Sequence, residues 1–284
     1  MKTLENKVAA ITGAGSGIGR ATAILLARHR CHLAVSDIDG PSAEETAREC
    51  RALGVTVTAK TLDVADRAAV YAWADETAAA HGRVNVIVNN AGVALGATIE
   101  SMAYEDFEWL MGINFWGVVY GTKAFLPHLK ASGEGHVVNI SSVFGLIAVP
   151  TQAAYNAAKF AVRGFTECLR EEMEIEGFPV GVTSVHPGGI KTNIARRARV
   201  RGGEDWGVED AADAGAKFDE IAKTTPEDAA RDIVDAILGN RRRQLIGRDA
   251  RVIDVLQRLL PEAYQRILVA GARKQRARRA ARAR

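Results

Sequence analysis

The stretch Thr12-Gly13-Ala14-Gly15-Ser16-Gly17-Ile18-Gly19 joins an apolar run, Lys7 to Thr12, to a helical pattern, Gly17 to Arg30. Glycine permits a tight turn at such a junction and a close approach of backbone to a diphosphate. The N-terminus of the helix offers free N–H groups to the phosphates. The spacing Gly-x-x-x-Gly-x-Gly differs from the common Gly-x-Gly-x-x-Gly. We therefore predict a strand, turn and helix that bind a dinucleotide through Gly13, Gly15, Ser16, Gly17, Ile18 and Gly19.

Beyond this stretch, apolar β-branched runs alternate with helical patterns as far as His186. Such alternation predicts βαβ crossovers and a parallel sheet. The expected fold class is α/β, a single-domain doubly wound parallel sheet (Rossmann-like) with helices on both faces. The strands are predicted at Lys7 to Thr12, His32 to Ser36, Val55 to Thr61, Val84 to Asn89, His136 to Ser141 and Val180 to His186. The helices are predicted at Gly17 to Arg30, Ser42 to Leu53, Arg67 to His81, Tyr104 to Lys130 and Gln152 to Glu176.

The pattern loosens after His186. Residues 187–225 are rich in Gly, Arg and Asp and predict a mobile flap. Thr225 and Pro226 then open a helix to Leu238, since Thr is a favoured N-cap and Pro a favoured first residue. A short strand at 243–246 and a closing helix at 252–270, interrupted near Pro261, complete the prediction. The expected organisation is a dinucleotide-binding domain over 1–265, with a substrate flap at 188–224, and a basic tail over 266–284.

Composition limits the class of protein. The 284 residues are 48% hydrophobic and 25% charged, as in an ordinary globular protein. Cys31, Cys50 and Cys168 are few and widely spaced, which is typical of reduced thiols rather than of a disulfide framework or a metal site. The N-terminus lacks the apolar core of a signal peptide, and no apolar run is long enough to span a membrane. We expect a cytoplasmic protein with no bound metal.

The charge is unevenly distributed. From Arg266 to Arg284 there are eight basic residues and no acidic one, so the net charge of +3 leaves about −5 for the rest of the chain. Such a tail is either a solvated, fraying helix end or a contact for nucleic acid, anionic lipid or an acidic partner. Nucleic acid is the less expected partner because the body of the chain is acidic.

Two acids follow the next strands. Asp37 lies eighteen residues beyond Gly19, where a carboxylate accepts hydrogen bonds from both adenosine ribose hydroxyls and repels a 2′-phosphate. Arginine or lysine at position 16 or 38 would favour NADP, and these positions hold Ser16 and Ile38. We therefore expect NAD as the cofactor. Asp63-Val64 lies where an adenine is bound, although a lone Asp at a strand end is also an ordinary helix cap.

Tyr155 and Lys159 are four residues apart in the helical pattern Gln152 to Glu176. Residues at this spacing share one helix face. A tyrosine ordinarily has a pKa of about 10, and a nearby cation favours the phenolate and lowers that pKa. Such a tyrosine removes a proton from an alcohol or returns one to a carbonyl. Taken alone, the motif is weak, since Tyr and Lys often share a helix face without any chemistry.

Together with Asn89-Asn90-Ala91-Gly92 and Pro187-Gly188, these motifs resemble the short-chain dehydrogenases/reductases in their compact single-domain branch. The resemblance runs from about Lys7 to Leu260. It implies hydride transfer between NAD and a secondary alcohol or ketone. The catalytic residues that it implies are Asn114, Ser142, Tyr155 and Lys159, and further cofactor contacts are Asn90, Gly92, Pro187, Ile190 and Thr192.

The resemblance also implies a role for each residue. Tyr155 acts as general acid/base, and Lys159 lowers its pKa and binds the nicotinamide ribose. Ser142, thirteen residues before Tyr155, donates a hydrogen bond to the substrate oxygen. Asn114 holds a water that relays the proton from Lys159. Ser141, the neighbour of Ser142, is expected to be structural.

The substrate is less constrained by the sequence. Walls are expected from the segment after Gly92, from the flap and from Val143, Phe144, Val149, Gln152, Ile194 and Trp206, which favour a hydrophobic alcohol or ketone. Four flap arginines, Arg196, Arg197, Arg199 and Arg201, form either a solvated face or a contact for an acidic substrate. The alternatives are an NADPH-dependent 3-oxoacyl thioester reductase and an NAD-binding sensor or scaffold without turnover.

The resemblance implies a homo-oligomer, a dimer or tetramer, paired through the helices that carry Asn114 and Tyr155.

Overall fold

The computed structural model describes residues 1–202 and 210–282. The strands within these ranges all pair in parallel. They are β1 (Val8–Thr12), β2 (His32–Asp37), β3 (Val57–Thr61), β4 (Val86–Asn89), β5 (Leu95–Ala97), β6 (Gly135–Ile140), β7 (Val180–Pro187), β8 (Arg199–Arg201) and β9 (Arg243–Ile246). Over the same residues, seven strands form a central sheet in the order β3-β2-β1-β4-β6-β7-β9, and β5 and β8 form a separate pair.

Helices follow most of the strands and cover both faces of the sheet. They are α1 (Gly17–Arg28), α2 (Gly40–Arg51), α3 (Arg67–His81), α4 (Tyr104–Met111), α5 (Gly117–Ala131), α6 (Ala153–Ile175), α7 (Ala211–Ile221), α8 (Pro226–Leu238), α9 (Arg248–Leu259) and α10 (Ala263–Arg282). The fold is a doubly wound, Rossmann-like α/β sheet, which confirms the predicted class.

The hydrophobic core lies in two layers, one on each face of the sheet. On one face α1 and α8 pack on the strands through residues such as Leu26 and Ile233. On the other face α3, α5 and α6 enclose Trp73 and Phe125, whose rings meet edge to face at 5.1 Å. Because both faces are covered, all five residues of β1 are buried. This burial explains why the strands are almost continuously apolar in sequence.

The order of the strands reverses at β1. From β1 the chain moves outward to β2 and β3, and it then returns to pair β4 on the other side of β1. In open α/β sheets, ligands bind beyond the carboxyl ends of the strands at such a switch point. The ends of β1 and β4 carry Gly13 and Asn90, so the predicted cofactor contacts lie at this position.

Most predicted elements agree with the structure to within a few residues, and the bounds of α3 and β9 agree fully. The predicted helix Tyr104 to Lys130 is interrupted, because Gly112–Trp116 adopts a π-helical turn between α4 and α5. A π-turn inserts one extra residue into a helix and is frequent at functional sites. Here the turn contains Asn114, one of the predicted site residues.

Two predictions for the C-terminal part were wrong in detail. The flap contains regular structure, the strand β8 and the helix α7. The prediction missed both because the segment is rich in Gly and Arg and its apolar pattern is weak. The closing helix begins earlier than predicted, at Arg248, and extends further, because α10 continues through the Ala/Arg-rich run; the predicted interruption near Pro261 is confirmed, since α9 ends at Leu259. The boundary predicted at residue 265 therefore falls inside α10.

The described residues contain no disulfide and no cluster of metal-ligating side chains. The cysteines are free thiols, and burial raises the pKa of Cys31 to about 12. Within 1–202 and 210–282, no group of three or more His, Cys, Asp or Glu side chains is arranged to hold a metal ion. A search of the same residues for a helix long and apolar enough to cross a membrane found none.

Candidate active site

A cleft of about 990 Å³ opens at the carboxyl ends of the central strands. One end lies against the glycine turn and β2, and the other lies between α6 and the flap. It collects most of the predicted site residues into one space. Those lining it are Gly13, Ser16, Gly17, Ile18, Asp37, Asp63, Val64, Asn90, Gly92, Ser142, Tyr155, Lys159, Pro187, Ile190 and Thr192.

The glycine turn leaves no room for side chains. Gly13 has a φ of +65°, and a Cβ on Gly19 would lie 2.2 Å from the Gly13 carbonyl oxygen. A Cβ on Gly15 would lie 2.8 Å from the Ser42 Cβ. Ser16 is the N-cap of α1 but makes no side-chain capping bond, so it does not cover the first N–H groups of the helix. The turn is thus open to a diphosphate at a helix N-terminus, whereas Gly15 and Gly19 pack behind the cleft surface.

The turn is fixed to β4 by a pair of residues, of which the sequence analysis singled out only one. The Asn90 side chain donates to the carbonyl oxygens of Thr12 and Gly13, both at 3.0 Å. The Thr12 hydroxyl in turn accepts from the backbone N–H groups of Asn90 and Ala91. Thr12 was missed because a threonine at the end of a buried strand has no distinctive spacing. Its role follows only from the proximity of β1 and β4.

Asp37 faces the cleft at the end of β2. Its carboxylate accepts from the Gly15 N–H at 2.9 Å and from the Asp39 N–H at 3.0 Å, which orients it beside the glycine turn. Each carboxylate oxygen retains a lone pair for a further donor. Asp63 also lines the cleft and accepts from the Ala65 N–H. The capping role considered for Asp63 belongs instead to Asp66, the N-cap of α3.

The segment after β7 crosses the cleft and approaches the glycine turn. A Cβ on Gly17 would lie 3.1 Å from the Thr192 side chain. Ile190 is buried and pairs with Thr224 in an isolated parallel bridge. Asp249 at the start of α9 accepts from the Gly189 N–H at 2.7 Å and fixes this segment from behind. The sequence analysis missed Asp249 because it lies sixty residues away from Gly189.

Tyr155, Ser142 and Lys159 meet at the far end of the cleft. Tyr155 lies on the first turn of α6, near enough to Ser142 for hydrogen bonding between the two side chains to lower the Tyr155 pKa. Lys159 is one turn further along, and its Nζ lies 5.5 Å from the centre of the Tyr155 ring. Lys159 is buried and donates to the Ile140 carbonyl oxygen at 2.9 Å. The arrangement offers an acid/base and a neighbouring donor to a single substrate oxygen.

The pKa values of this pair differ from the expectation. Burial raises the pKa of Tyr155 to about 12, and the Ser142 hydrogen bond only partly opposes the rise. Burial also lowers the pKa of Lys159 to about 8. The predicted lowering of the Tyr155 pKa by Lys159 is therefore absent here, because Lys159 loses its charge before Tyr155 titrates. Another nearby positive charge is needed to favour the phenolate.

Asn114 is enclosed within the π-turn. Its side chain accepts from the Val93 N–H and donates to the Val93 carbonyl oxygen, each at 2.8 Å. A Cβ on Gly92 would lie 3.3 Å from the Asn114 Oδ1 and 3.8 Å from the Lys159 Nζ, so Asn114 adjoins Lys159. The contacts fix the chain after β4 against the π-turn. The water relay stays a prediction.

Two buried polar residues position the reacting groups and were not identified from the sequence. His186 contacts the Ser142 carbonyl oxygen at 3.0 Å through Nδ1, and burial lowers its pKa to about 4. Asn156 donates to the carbonyl oxygens of Phe144 and Ile147 and so holds the loop that follows Ser142. Asn156 lies within the Tyr-x-x-x-Lys motif, which is a signal that sequence analysis had available.

The substrate end of the cleft is mainly apolar. The predicted residues that line it are Val143, Phe144, Val149, Gln152 and Ile194. The Phe144 ring meets the Tyr155 ring edge to face at 6.1 Å. Ser141 lies deeper and donates to the Lys159 carbonyl oxygen at 2.8 Å. Trp206, also predicted here, lies outside the described residues.

The flap is attached to α4 by a buried carboxylate. Asp106 is 2% exposed and pairs with Arg199 at 2.8 Å and Arg201 at 2.9 Å. The Arg199 guanidinium also lies 3.7 Å from the ring centre of Trp109, which lines the cleft. Strand β8 pairs with β5 in register, Leu95 with Arg199. The two arginines thus form ion pairs within the protein. The sequence analysis considered only a solvated face or a contact with an acidic substrate.

The remaining flap arginines differ from each other. Arg196 pairs with Asp219 of α7. Arg197 lines the cleft. Hydrogen bonds from Ser42 lower the pKa of Asp39, and the charge of Arg197 makes a smaller contribution in the same direction. Of the four arginines, Arg197 is therefore the one whose position suits contact with an anionic group of a bound ligand.

The fold and the cleft define an α/β protein of the dinucleotide-binding class. A family model for short chain dehydrogenases matches residues 7–201, which is more than half of the chain. The chain belongs to the short-chain dehydrogenase/reductase family, and the resemblance inferred from its motifs is confirmed.

Individual relatives agree with this assignment. The Mycobacterium tuberculosis protein SadH, whose name places it among oxidoreductases, is 51% identical over 275 residues, covering 96% of this chain and 98% of SadH. A Burkholderia phymatum short-chain dehydrogenase in complex with NAD has a TM-score of 0.83 at 30% identity, over 93% of this chain and 97% of that one. Levodione reductase has a TM-score of 0.76 at 27% identity, over 87% and 99%. The chain is an oxidoreductase of this family.

Proposed function

We propose that the chain interconverts a secondary alcohol and a ketone by hydride transfer, with NAD as its cofactor. The observation that carries this proposal is one continuous cleft with Asp37 and the glycine turn at one end and Tyr155, Ser142 and Lys159 at the other. A dinucleotide bound along this cleft would place its adenosine at the first end and its nicotinamide at the second.

NAD fits the residues at the adenosine end. The glycine turn provides space and helix N–H groups for the diphosphate, and Asp37 provides acceptors for two ribose hydroxyls. A phosphate on the ribose 2′ oxygen would meet the Asp37 carboxylate and be repelled. The NAD complex of the Burkholderia phymatum relative supports the same choice. Arg197 lines the same cleft, and we propose that it contacts an anionic group of the cofactor.

The side chains at the other end perform the proton transfer. The oxidised nicotinamide supplies a hydride acceptor and a positive charge when NAD is bound. Tyr155 removes the alcohol proton as the carbonyl forms, and Ser142 donates a hydrogen bond to the oxygen on which charge develops. Lys159 binds the nicotinamide ribose and passes the proton onward, with Asn114 holding the relay water. In reduction, Tyr155 returns a proton to the ketone oxygen.

Lys159 determines the pH dependence that we expect. The pair Tyr155 and Lys159 loses its first proton near the Lys159 pKa of about 8. Oxidation needs the pair to accept a proton, so kcat/KM for the alcohol rises as pH increases through about 8. Reduction needs the pair to donate one, so kcat/KM for the ketone falls over the same interval. NADH absorbance at varied pH measures both profiles.

The control is a pair of lysine variants. Lys159→Met retains most of the side-chain length but cannot titrate, so the inflection near the Lys159 pKa is lost. Lys123→Met removes an exposed lysine of α5 and is expected to leave the profile unchanged. If Lys159→Met retained the inflection, the assignment of this proton to the pair would be wrong.

The substrate is proposed to be hydrophobic, because Phe144, Val149 and Ile194 line the far end of the cleft. The name of levodione reductase supports a ketone as the oxidised partner. A 3-oxoacyl thioester reductase using NADPH is the alternative within the family, and Asp37 opposes it. A sensor or scaffold that binds NAD without turnover is opposed by the presence of all four proposed catalytic residues.

The test is turnover with a panel of secondary alcohols that includes steroids, terpenoid alcohols and 3-hydroxyacyl thioesters, each offered NAD and NADP. We expect NADH to form with at least one hydrophobic alcohol and little NADPH with any. Turnover restricted to thioesters with NADP would establish the alternative reductase. Tight NAD binding with no turnover on the whole panel would support the sensor.

The assembly proposed is a homo-oligomer, a dimer or tetramer, formed through α5 and α6. Phe160 is partly exposed on α6. Trp116, the last residue of the π-turn before α5, is also partly exposed, and its ring stacks on Tyr120 of α5 at 5.7 Å. Apolar rings on an outer helix face favour burial by a second copy. The proposed location of the protein is the cytoplasm.

A further inference from the structure

The outer face of α9 carries an apolar stripe made of Val252, Val255 and Leu259. Their residue exposures are 65%, 54% and 74%. Residues three, four or seven positions apart lie on one side of a helix. The opposite side of α9 buries Ala250 and Asp254, so the orientation of the helix is fixed by its packing on the body. We call these three residues the α9 stripe.

A contiguous stripe differs from a single exposed apolar side chain. Isolated exposed hydrophobic residues are common, whereas contiguous apolar surface marks an interaction site. Leu260, just past the end of α9, and Ile267, on the first turns of α10, are also exposed. Exposed apolar side chains are therefore found on both helices.

Basic residues flank this surface and outnumber the exposed acids next to it, Asp249 and Glu262. Arg248 and Arg251 are exposed and precede Val252 and Val255 by four residues each, on the same side of α9. Along α10, Arg266, Arg273 and Lys274 are exposed, and the sequence from Arg266 to its end contains no acidic residue. Apolar side chains flanked by basic ones are the composition of helices that lie in the surface of an anionic membrane.

We infer that the α9 stripe and α10 dock the protein on an anionic lipid surface. A symmetric pairing of two copies through this face would bring two basic segments together, which like charges oppose. Nucleic acid would satisfy the charge but leave the apolar stripe uncovered. A bilayer of anionic lipid meets both requirements, since acyl chains cover the stripe and headgroups neutralise the basic side chains.

The docking surface adjoins the cleft. Asp249 and Ile253, neighbours of the stripe on α9, line the cleft. The Tyr264 hydroxyl, near the start of α10, accepts from the Ala148 N–H at 3.2 Å, on the loop that follows Ser142. The surface is thereby fixed beside the substrate end of the cleft. If the proposed function holds, a hydrophobic alcohol dissolved in the lipid has a short route to Tyr155.

The experiment is co-sedimentation of the full chain with phosphatidylcholine vesicles, with and without phosphatidylglycerol, at low and high salt. We expect binding to the anionic vesicles, loss of binding at high salt, and at least about a tenfold weaker partition for Leu259→Asp. Neither NAD nor alcohol is present, so failure of the proposed function would not affect the result.

Ile175→Asp is the matched control. Leu259 and Ile175 are each the last residue of a helix, and Ile175 is 85% exposed on α6, away from the stripe. This variant is expected to bind vesicles as the wild type does. Equal binding by Leu259→Asp, or no vesicle binding at all, would overturn the inference. If the protein bound no vesicles and Leu259→Asp lowered its mass by light scattering, the face would be assigned to contact with a second copy. If the protein bound duplex DNA and Leu259→Asp did not affect that binding, the basic residues would be assigned to nucleic acid.

Discussion

Replacing Tyr155 by Phe is expected to lower kcat/KM for alcohol oxidation by about a thousandfold. The variant keeps the ring that packs against Phe144 and removes only the hydroxyl that lies near Ser142. Fold and NAD affinity should therefore change little, while proton removal from the alcohol is lost. The measurement is initial-rate NADH formation, with NAD affinity followed separately by fluorescence titration.

Tyr71→Phe provides the control for this result. Tyr71 is a partly exposed residue of α3, and the same loss of a hydroxyl there is expected to leave kcat/KM unchanged. If Tyr155→Phe retained most of the wild-type rate, another group would have to move the proton. In that case the proposed role of Tyr155 would be wrong even if NAD is the cofactor.

Replacing Asp37 by Ala is expected to change the ratio of kcat/KM for NAD over NADP by about a hundredfold in favour of NADP. Two effects act in the same direction. NAD loses the hydrogen bonds between its ribose hydroxyls and the carboxylate, and NADP no longer places a phosphate against a negative charge. Paired assays with the two cofactors at saturating alcohol measure the ratio.

A variant of Asp39 tests whether cofactor preference depends on a specific contact of Asp37 or only on negative charge in this region. Asp39 caps α2 by accepting from Ser42, and Asp39→Asn removes its charge while retaining a side-chain oxygen for the cap. We expect only a small change in cofactor preference for this variant. An equal change in Asp39→Asn, or an unchanged preference in Asp37→Ala, would contradict a specific contact between Asp37 and the ribose.

Much of the fold follows from local sequence patterns. Buried parallel strands need continuous β-branched residues, and such runs mark β1, β4 and β7 clearly. The glycine turn can also be predicted from a short stretch of sequence, because the steric limits at Gly13 and Gly19 allow no other residue. For the same reason most of the predicted site residues line one cleft, since strand ends and their following turns meet at one edge of the sheet.

The features that were missed depend on distant contacts. The pairing of β5 with β8 joins residues about a hundred positions apart, and each strand is only three residues long. Asp106 has no local signal as the partner of Arg199 and Arg201. The raised pKa of Tyr155 also follows from burial rather than from spacing, whereas the sequence showed only that Lys159 is near.

The central claim is that hydride passes directly between the alcohol carbon and NAD in this cleft. The most direct measurement uses a panel alcohol that turns over, carrying deuterium on its carbinol carbon, and locates the label by NMR. We predict that deuterium is recovered at the C4 position of NADH, on one face of the ring, and that Tyr155→Phe slows its transfer. Deuterium that appears in water, or a ketone formed without labelled NADH, would contradict the claim.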